Sequence, residues 1–230
     1  PRGAITQNSE YEVYPSQSKI ISALNFSGKT NSGLSVGILD AVTAKENAKY
    51  RDSTNTDTFQ AVEPFANSLV LRLKQDLKDG KIIFGGFLTN KQHVLNTNYL
   101  KSSFTSKANV MGVDFEYALP DPAWVVSGYT ATSTLLGTKK IVSEVQRNSA
   151  HYFQRPDDKI ALDTTKTQLD GNSSELSLTK ISGKNFKGSF TYRQISPGYD
   201  INELGYIRSA NTKQLKSYIE YEDFVPKKYW

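Results

Sequence analysis

Bulky apolar residues alternate with small or polar residues along several segments of about ten residues each. In residues 33–43, every second side chain is bulky and apolar, except at Asp40. These apolar positions are Leu34, Val36, Ile38 and Val42. Residues 186–194 repeat the two-residue period with Phe186, Phe190 and Tyr192. Since successive side chains of a strand point to opposite faces, the pattern predicts strands with one apolar and one hydrophilic face.

The pattern predicts about nine long strands that pair in antiparallel fashion. Short polar links join them two by two, for example at Asp79-Gly80 and at Pro120-Asp121-Pro122, and long polar segments separate the pairs. Outer-membrane barrels show this alternation of short turns and long loops. The predicted strands are Ile20–Gly28, Gly33–Thr43, Ala61–Asp76, Lys81–Asn90, Lys107–Leu119, Ala123–Ser133, Gln168–Ile181, Asn185–Gln194 and Lys213–Phe224.

Two architectures produce such strands. A soluble sandwich packs one face of each sheet inward and leaves the other in water. A transmembrane β-barrel turns the apolar face to lipid, and tilted strands of about 9–11 residues are long enough to cross a bilayer. We predict the second, with residues 1–17 as a polar lead-in and residues 18–230 as an incomplete barrel with long loops on one rim. Because an open edge in lipid is costly, further strands from missing sequence or another chain are expected to complete it.

Two segments are predicted as long loops. Residues 44–58 are polar and charged, and are expected to be exposed. Residues 134–165 differ because Ile141, Val142 and Val145 supply apolar anchors, and a short helix is expected around 140–147. Loops of this length are commonly functional or disordered.

The segment 134–165 also carries the least generic cluster of the chain. We expect it to fold against or into the barrel lumen through His151, Tyr152, Phe153 and Arg155, with Arg155 paired to a strand carboxylate, either Asp114 or Glu116. The alternative left open is a surface loop whose aromatic side chains bind a glycan or a partner protein.

The composition of the chain argues against several classes of protein and of functional site. Only 37% of residues are hydrophobic and the mean hydropathy is −0.50, which argues against a helical membrane protein but not against a barrel. No run of about 18 apolar residues exists. The chain opens Pro1-Arg2-Gly3 without an initiator Met or an apolar leader, so a processed or truncated product is expected. The absence of cysteine excludes disulfides, thiolate metal sites and a Cys nucleophile.

No motif predicts a nucleic-acid, nucleotide or metal partner. The net charge is +5, but Lys and Arg are scattered beside acids, without the basic stripe of a nucleic-acid surface. Gly28-Lys29-Thr30 lacks the glycine that a P-loop requires five positions earlier, where Ala23 stands. His93 and His151 are the only histidines and have no metal-binding spacing, so neither metal nor cofactor is expected.

Asp114 and Glu116 share one strand face and resemble the carboxylate pair of a glycosidase. Acids two positions apart are also common on any solvated strand face. The chain is therefore predicted not to be an enzyme. The rival hypothesis is a soluble β-rich carbohydrate-binding or glycan-hydrolysing module that uses Trp124, Tyr129 and this acid pair.

Several segments, taken in order, resemble an uncharacterised family of Gram-negative outer-membrane proteins. Its members carry a family 9-like carbohydrate-binding module before a long β-rich C-terminal domain. The segments are 20–23 and 27–30, Gly33-Leu34-Ser35-Val36-Gly37, Asp40-Ala41-Val42-Thr43-Ala44, Val62-Glu63-Pro64, 149–156, Ser196-Pro197-Gly198-Tyr199 and Asn202-Glu203-Leu204-Gly205-Tyr206. The module is absent, and the chain looks like the middle of the C-terminal domain.

This resemblance implies a bacterial outer-membrane location and offers no catalytic residues. We expect a pore wall or membrane scaffold, linked to surface glycan handling. Its expected partners are the lipid bilayer, a glycan or other outer-membrane proteins, and the strands that complete the barrel.

Overall fold

Twelve strands and two short helices form the part of the chain that the computed structural model describes, which is residues 3–6, 9, 11–52, 54–121, 123–155, 159–183 and 185–223. The helices are α1 (Asn98–Ser103) and α2 (Lys139–Arg147). The strands are β1 (Tyr11–Val13), β2 (Ile20–Lys29), β3 (Leu34–Thr43), β4 (Glu46–Arg51), β5 (Asp57–Glu63), β6 (Phe65–Leu77), β7 (Ile82–Val94), β8 (Lys107–Ala118), β9 (Trp124–Leu136), β10 (Gln168–Lys180), β11 (Phe186–Ile195) and β12 (Thr212–Tyr221).

Nine of these strands form one large sheet in the order β12-β11-β10-β9-β8-β7-β6-β3-β2. Every neighbouring pair is antiparallel. The prediction of nine long antiparallel strands is thus confirmed, and so is the helix predicted around 140–147. Strands β2 and β12 are the two edges of the sheet, and the described residues do not close it into a barrel.

Short and long connections lie at opposite ends of the strands of the large sheet. We call these two ends the turn edge and the loop edge, as distinct from the edge strands β2 and β12. The turn edge carries the connections 30–33, 78–81, 119–123 and 181–185, and the loop edge carries 44–64, 95–106, 137–167 and 196–211. At one tight turn, Lys78, Asp79 and Gly80 have φ of 54°, 56° and 86°. Such left-handed backbone matches the right-handed twist of the strands that it joins.

Residues 44–58 differ from the predicted loop, because they contribute to a second, three-stranded sheet ordered β1-β4-β5. Ala48 and Tyr50 of β4 alternate inward and are buried with Val62 of β5. The buried positions are so few that the polar composition of the segment conceals its alternation. Strand β1 lies within the polar lead-in and pairs with β4.

One side of the large sheet, here called the apolar face, is covered with exposed or half-buried apolar side chains. Val113 is 58% exposed and Ile219 is 79% exposed. Members of this face come from every strand of the sheet: Leu24, Phe26, Val36, Ile38, Leu71, Leu73, Phe84, Leu88, Met111, Val113, Phe115, Val126, Leu176, Leu178, Phe190, Tyr192, Leu215 and Ile219. Monomeric soluble proteins rarely expose a large contiguous apolar patch, and such patches mark sites of contact with other proteins or with membranes.

The opposite side, the polar face, is partly covered by two of the loop-edge connections, 137–167 and 196–211. Val110, Ala131 and Ile195 of the sheet pack against Tyr199, Ile207 and Ala210 of the segment 196–211. A second cluster joins Leu135 and Leu169 of the sheet to Val142 of α2 and to Phe153. The buried core therefore lies between the polar face and these connections.

Gly171 on β10 allows the segment 196–211 to approach the sheet, and we predict that Gly171→Ala disrupts this contact. An added Cβ would lie 2.0 Å from the backbone nitrogen of Tyr199. We expect a loss of about 1–3 kcal/mol in the free energy of unfolding, together with faster hydrogen exchange in 196–211. Gly86→Ala is the matched control, because its Cβ would meet the Gly112 carbonyl at an ordinary 3.6 Å. Equal effects of the two substitutions would contradict this account.

Candidate functional site on the polar face

Asp114 forms a bidentate ion pair with Arg72, and not the predicted pair with Arg155. Nη2 of Arg72 lies 2.8 Å from Oδ1 of Asp114, and Nη1 contacts Oδ2. The two residues are on β6 and β8, separated by β7, where Gly85 lies beside Asp114. Because Gly85 has no side chain, the guanidinium of Arg72 passes over it at close range. Arg155 forms no ion pair with any described residue.

The predicted carboxylate pair therefore has one member that is already engaged. Glu116 is exposed on the same face, whereas both oxygens of Asp114 accept hydrogen bonds from Arg72. The candidate aromatic residues of the rival hypothesis are also divided. Tyr129 lies on the polar face with its hydroxyl 3.0 Å from Oγ of Ser173, while Trp124 lies on the apolar face. The structure does not bring these four residues together in one site.

His151 is the centre of a buried network that joins two loop-edge connections. Its ring is fully buried; Nε2 lies 2.8 Å from Oδ2 of Asp200, and Nδ1 lies 2.7 Å from the carbonyl oxygen of Pro197. Both ring nitrogens therefore have a hydrogen-bond partner, one on a side chain and one on the backbone of the segment 196–211. His151 thus connects the segment 134–165 to the segment 196–211 through partners that the sequence did not reveal.

Asp200 receives further hydrogen bonds that hold the segment 196–211 in place. The backbone N–H of Asn202 donates to Oδ1 at 2.9 Å, and its side-chain amide donates to Oδ2 at 3.0 Å. The backbone N–H of Asp200 itself donates to Oγ of Ser133 on β9, at 2.9 Å. The network therefore joins the segments 137–167 and 196–211 to each other and to β9 of the large sheet.

Protonation of Asp200 is coupled to the stability of this network. Burial raises the pKa of Asp200, but hydrogen bonds from His151 and Asn202 outweigh burial and leave the pKa below its ordinary value of 3.8. The folded state therefore favours the carboxylate. Its contribution to stability is complete above the ordinary pKa and is lost as the pH falls through the lower pKa of the folded state.

The other predicted loop residues have different environments. Phe153 is buried against Leu135, Val142 and Leu169, and its ring meets the His151 ring edge-on with centroids 6.5 Å apart. Tyr152 is 47% exposed and has a positive φ of 45°. His151 and Phe153 thus anchor the connection, whereas Tyr152 faces outward.

His93 has a structural role on the loop edge. It is buried, its Nδ1 lies 2.8 Å from the carbonyl oxygen of Thr105, and its ring meets Phe104 edge-on. Within the described residues, no group of three or more His, Asp or Glu side chains is arranged to hold a metal ion. None of the described helices is long and apolar enough to cross a membrane.

Polar side chains form a row across the apolar face near the loop edge. The Asn67 amide donates to Oδ1 of Asp40 at 2.7 Å, and the Thr134 hydroxyl donates to Oδ1 of Asp170 at 2.8 Å. Between these pairs the amide of Asn90 donates to the side-chain oxygen of Asn109. This row marks where the apolar side chains end.

Aromatic side chains mark the other limit of the apolar face, near the turn edge. Trp124 begins β9 and carries the ammonium of Lys180 at 5.7 Å from its ring centroid. Phe186 and Tyr221 pair across β11 and β12, with ring centroids 5.0 Å apart. The apolar face is thus a band between an aromatic row and a polar row.

Comparison with known families places residues 2–230 within a model described as a domain of unknown function, DUF5916. Neither the curated proteins nor the solved structures contain a match to this chain.

Proposed function

The chain belongs to the DUF5916 family, and we propose that its large sheet is part of the wall of a transmembrane β-barrel in a bacterial outer membrane. In this proposal the chain acts as a pore wall or membrane scaffold, not as an enzyme. Its partners are the lipid bilayer and the strands that complete the wall. The proposal rests mainly on one observation, the exposed apolar face that continues across nine strands.

The dimensions of the apolar band support a membrane environment. On β6, the stretch from Asn67 to Leu77 is roughly 33 Å long at about 3.3 Å per residue. A strand tilt of about 40° reduces this length to roughly 25 Å along the membrane normal, the height of the apolar band in outer-membrane barrels. Trp124, Tyr221 and Phe186 then lie where barrels carry an aromatic girdle.

The arrangement of connections supports the same proposal. Outer-membrane barrels have short turns on one side of the membrane and long loops on the other. The loop edge, with its small sheet and α2, is then the surface available to a glycan or to other outer-membrane proteins. The polar face, with the Arg72–Asp114 pair, faces the interior of the barrel.

Single-cysteine labelling tests the proposal, because the native chain contains no cysteine. We expect a nitroxide attached at Val113→Cys, in the full-length protein in lipid vesicles, to collide with oxygen and not with a water-soluble nickel complex. Ser127→Cys is the matched control: it lies on the polar face of the neighbouring strand, opposite Glu116, and is expected to be less accessible to oxygen than Val113.

Equal collision rates of both labels with the nickel complex would refute the membrane proposal. A protein that stays monodisperse without detergent and cleaves a glycan, with loss of activity on Glu116→Gln, would instead support the soluble alternative. Single-channel recordings of the full-length protein then distinguish a conducting pore from a closed scaffold.

A further inference from the structure

A cavity of about 610 Å³ lies between the polar face and the segment 196–211. Pockets for small molecules typically have volumes of about 300–1,000 Å³. The cavity is separate from the buried His151–Asp200 pair, since neither residue lines it. Five strands of the sheet supply its floor: Phe87 and Thr89 of β7, Val110 of β8, Tyr129 of β9, Arg193 and Ile195 of β11, and Thr212 and Gln214 of β12.

The inner part of the cavity is apolar. Val110, Ile195 and Ile207 line it and are each less than one-tenth exposed. Tyr199 is also buried there, whereas Tyr206 is 79% exposed at the edge of the segment 196–211. A ligand with an extended hydrocarbon part would therefore find an apolar floor and an accessible rim.

The charged residues that line the cavity are both arginines, Arg193 and Arg208, without a carboxylate among them. Nε of Arg193 is buried and has no hydrogen-bond partner among the described residues; the closest carboxylate oxygen, on Glu175, is 3.8 Å away. Arg208 is exposed and forms no ion pair within the described part of the chain. Arg193 and Glu175 thus form a loose ion pair without a hydrogen bond at Nε. Guanidinium groups bind carboxylates through paired hydrogen bonds, so an anion in the cavity could gain such bonds from both arginines.

We propose that this cavity binds an amphipathic anion, a hydrocarbon chain that ends in a carboxylate. The hydrocarbon part of the ligand lies on the apolar floor, and its carboxylate accepts hydrogen bonds from Arg193 and Arg208. An acidic glycan fits less well, because its many hydroxyl groups would face apolar side chains without hydrogen-bond partners. This proposal does not depend on the membrane proposal, since the cavity lies on the polar face.

Binding of a fluorescent fatty acid, a dansyl-labelled undecanoate, to the full-length protein tests the proposal. We expect saturable binding that dodecanoate displaces. Arg193→Gln and Arg208→Gln are each expected to weaken it about tenfold or more, because hydrogen bonds to a charged group are lost. Arg147→Gln, at the exposed end of α2, is the matched control and is expected to bind as the native protein does.

Two further measurements separate the cavity from unspecific partition into detergent or lipid. The methyl ester of the probe has no negative charge, and its binding is expected to be weaker and equal in all variants. Arg193→Lys and Arg208→Lys retain the positive charge and are expected to bind better than the glutamine variants. Equal affinity of the native and glutamine variants for the acid, or displacement by an oligogalacturonate and not by dodecanoate, would overturn the proposal.

Discussion

Replacing Val113 with arginine is expected to impair folding of the protein into bilayers, although this side chain is already 58% exposed. In a barrel wall, an arginine near the middle of the membrane costs about 2–4 kcal/mol. On the surface of a soluble protein, a substitution at so exposed a site usually changes stability by less than about 0.5 kcal/mol. The loss of stability therefore distinguishes a side chain that faces lipid from one that faces water. Folding into vesicles of the full-length protein, followed by resistance to heat and protease, is the measurement.

Ser127→Arg is the matched control for Val113→Arg. Ser127 lies on the polar face of β9, opposite Glu116 of β8, so an arginine there has a carboxylate within reach. We expect this variant to insert into vesicles as the native protein does. If both arginine variants insert equally well, the apolar face does not contact lipid.

Replacing His151 with alanine is expected to release the connection 137–167 from the sheet. The substitution leaves the carboxylate of Asp200 buried, 7% exposed, without its hydrogen bond to His151. Removing the partner of a buried polar group costs about 1–3 kcal/mol, and more when the group is charged. We therefore expect rapid trypsin cleavage after Arg147, in the connection that His151 anchors, together with a lower unfolding temperature.

Two variants serve as controls for His151→Ala. Tyr152→Ala changes the neighbouring residue, which is 47% exposed and makes no described contact with Asp200, so native-like cleavage is expected. The double variant His151→Ala/Asp200→Ala removes the isolated carboxylate as well, and we expect it to be more stable than His151→Ala alone. Slow, native-like cleavage of His151→Ala would show that the pair does not hold the connection.

The large sheet could be predicted from the sequence because its signal is local. A strand with one apolar and one polar face repeats every two residues, and the long strands each contain several such repeats. The segment 46–63 forms strands too, but among its described residues only three apolar side chains, Ala48, Tyr50 and Val62, are buried, which gives too few apolar positions for a pattern. Short strands with polar surfaces therefore resemble loops.

The contacts of the polar face could not be predicted, because they depend on register and on distant parts of the chain. Arg72 meets Asp114 only because β6, β7 and β8 align with Gly85 between them. His151 meets Asp200 only after both connections fold back on the sheet. The sequence singled out His151 because it stands with two aromatic residues and an arginine in an otherwise polar segment, but it did not identify Asp200 and Pro197 as its partners.

The odd number of strands in the large sheet restricts how further strands could complete a barrel. Neighbouring strands alternate in direction, so the first and last of nine strands, β2 and β12, run the same way. These two edges cannot pair with each other in antiparallel fashion. An odd number of additional strands is needed between them, which brings the total to an even number, as in bacterial single-chain barrels. Whole hairpins alone, each adding two strands, can therefore never close this wall.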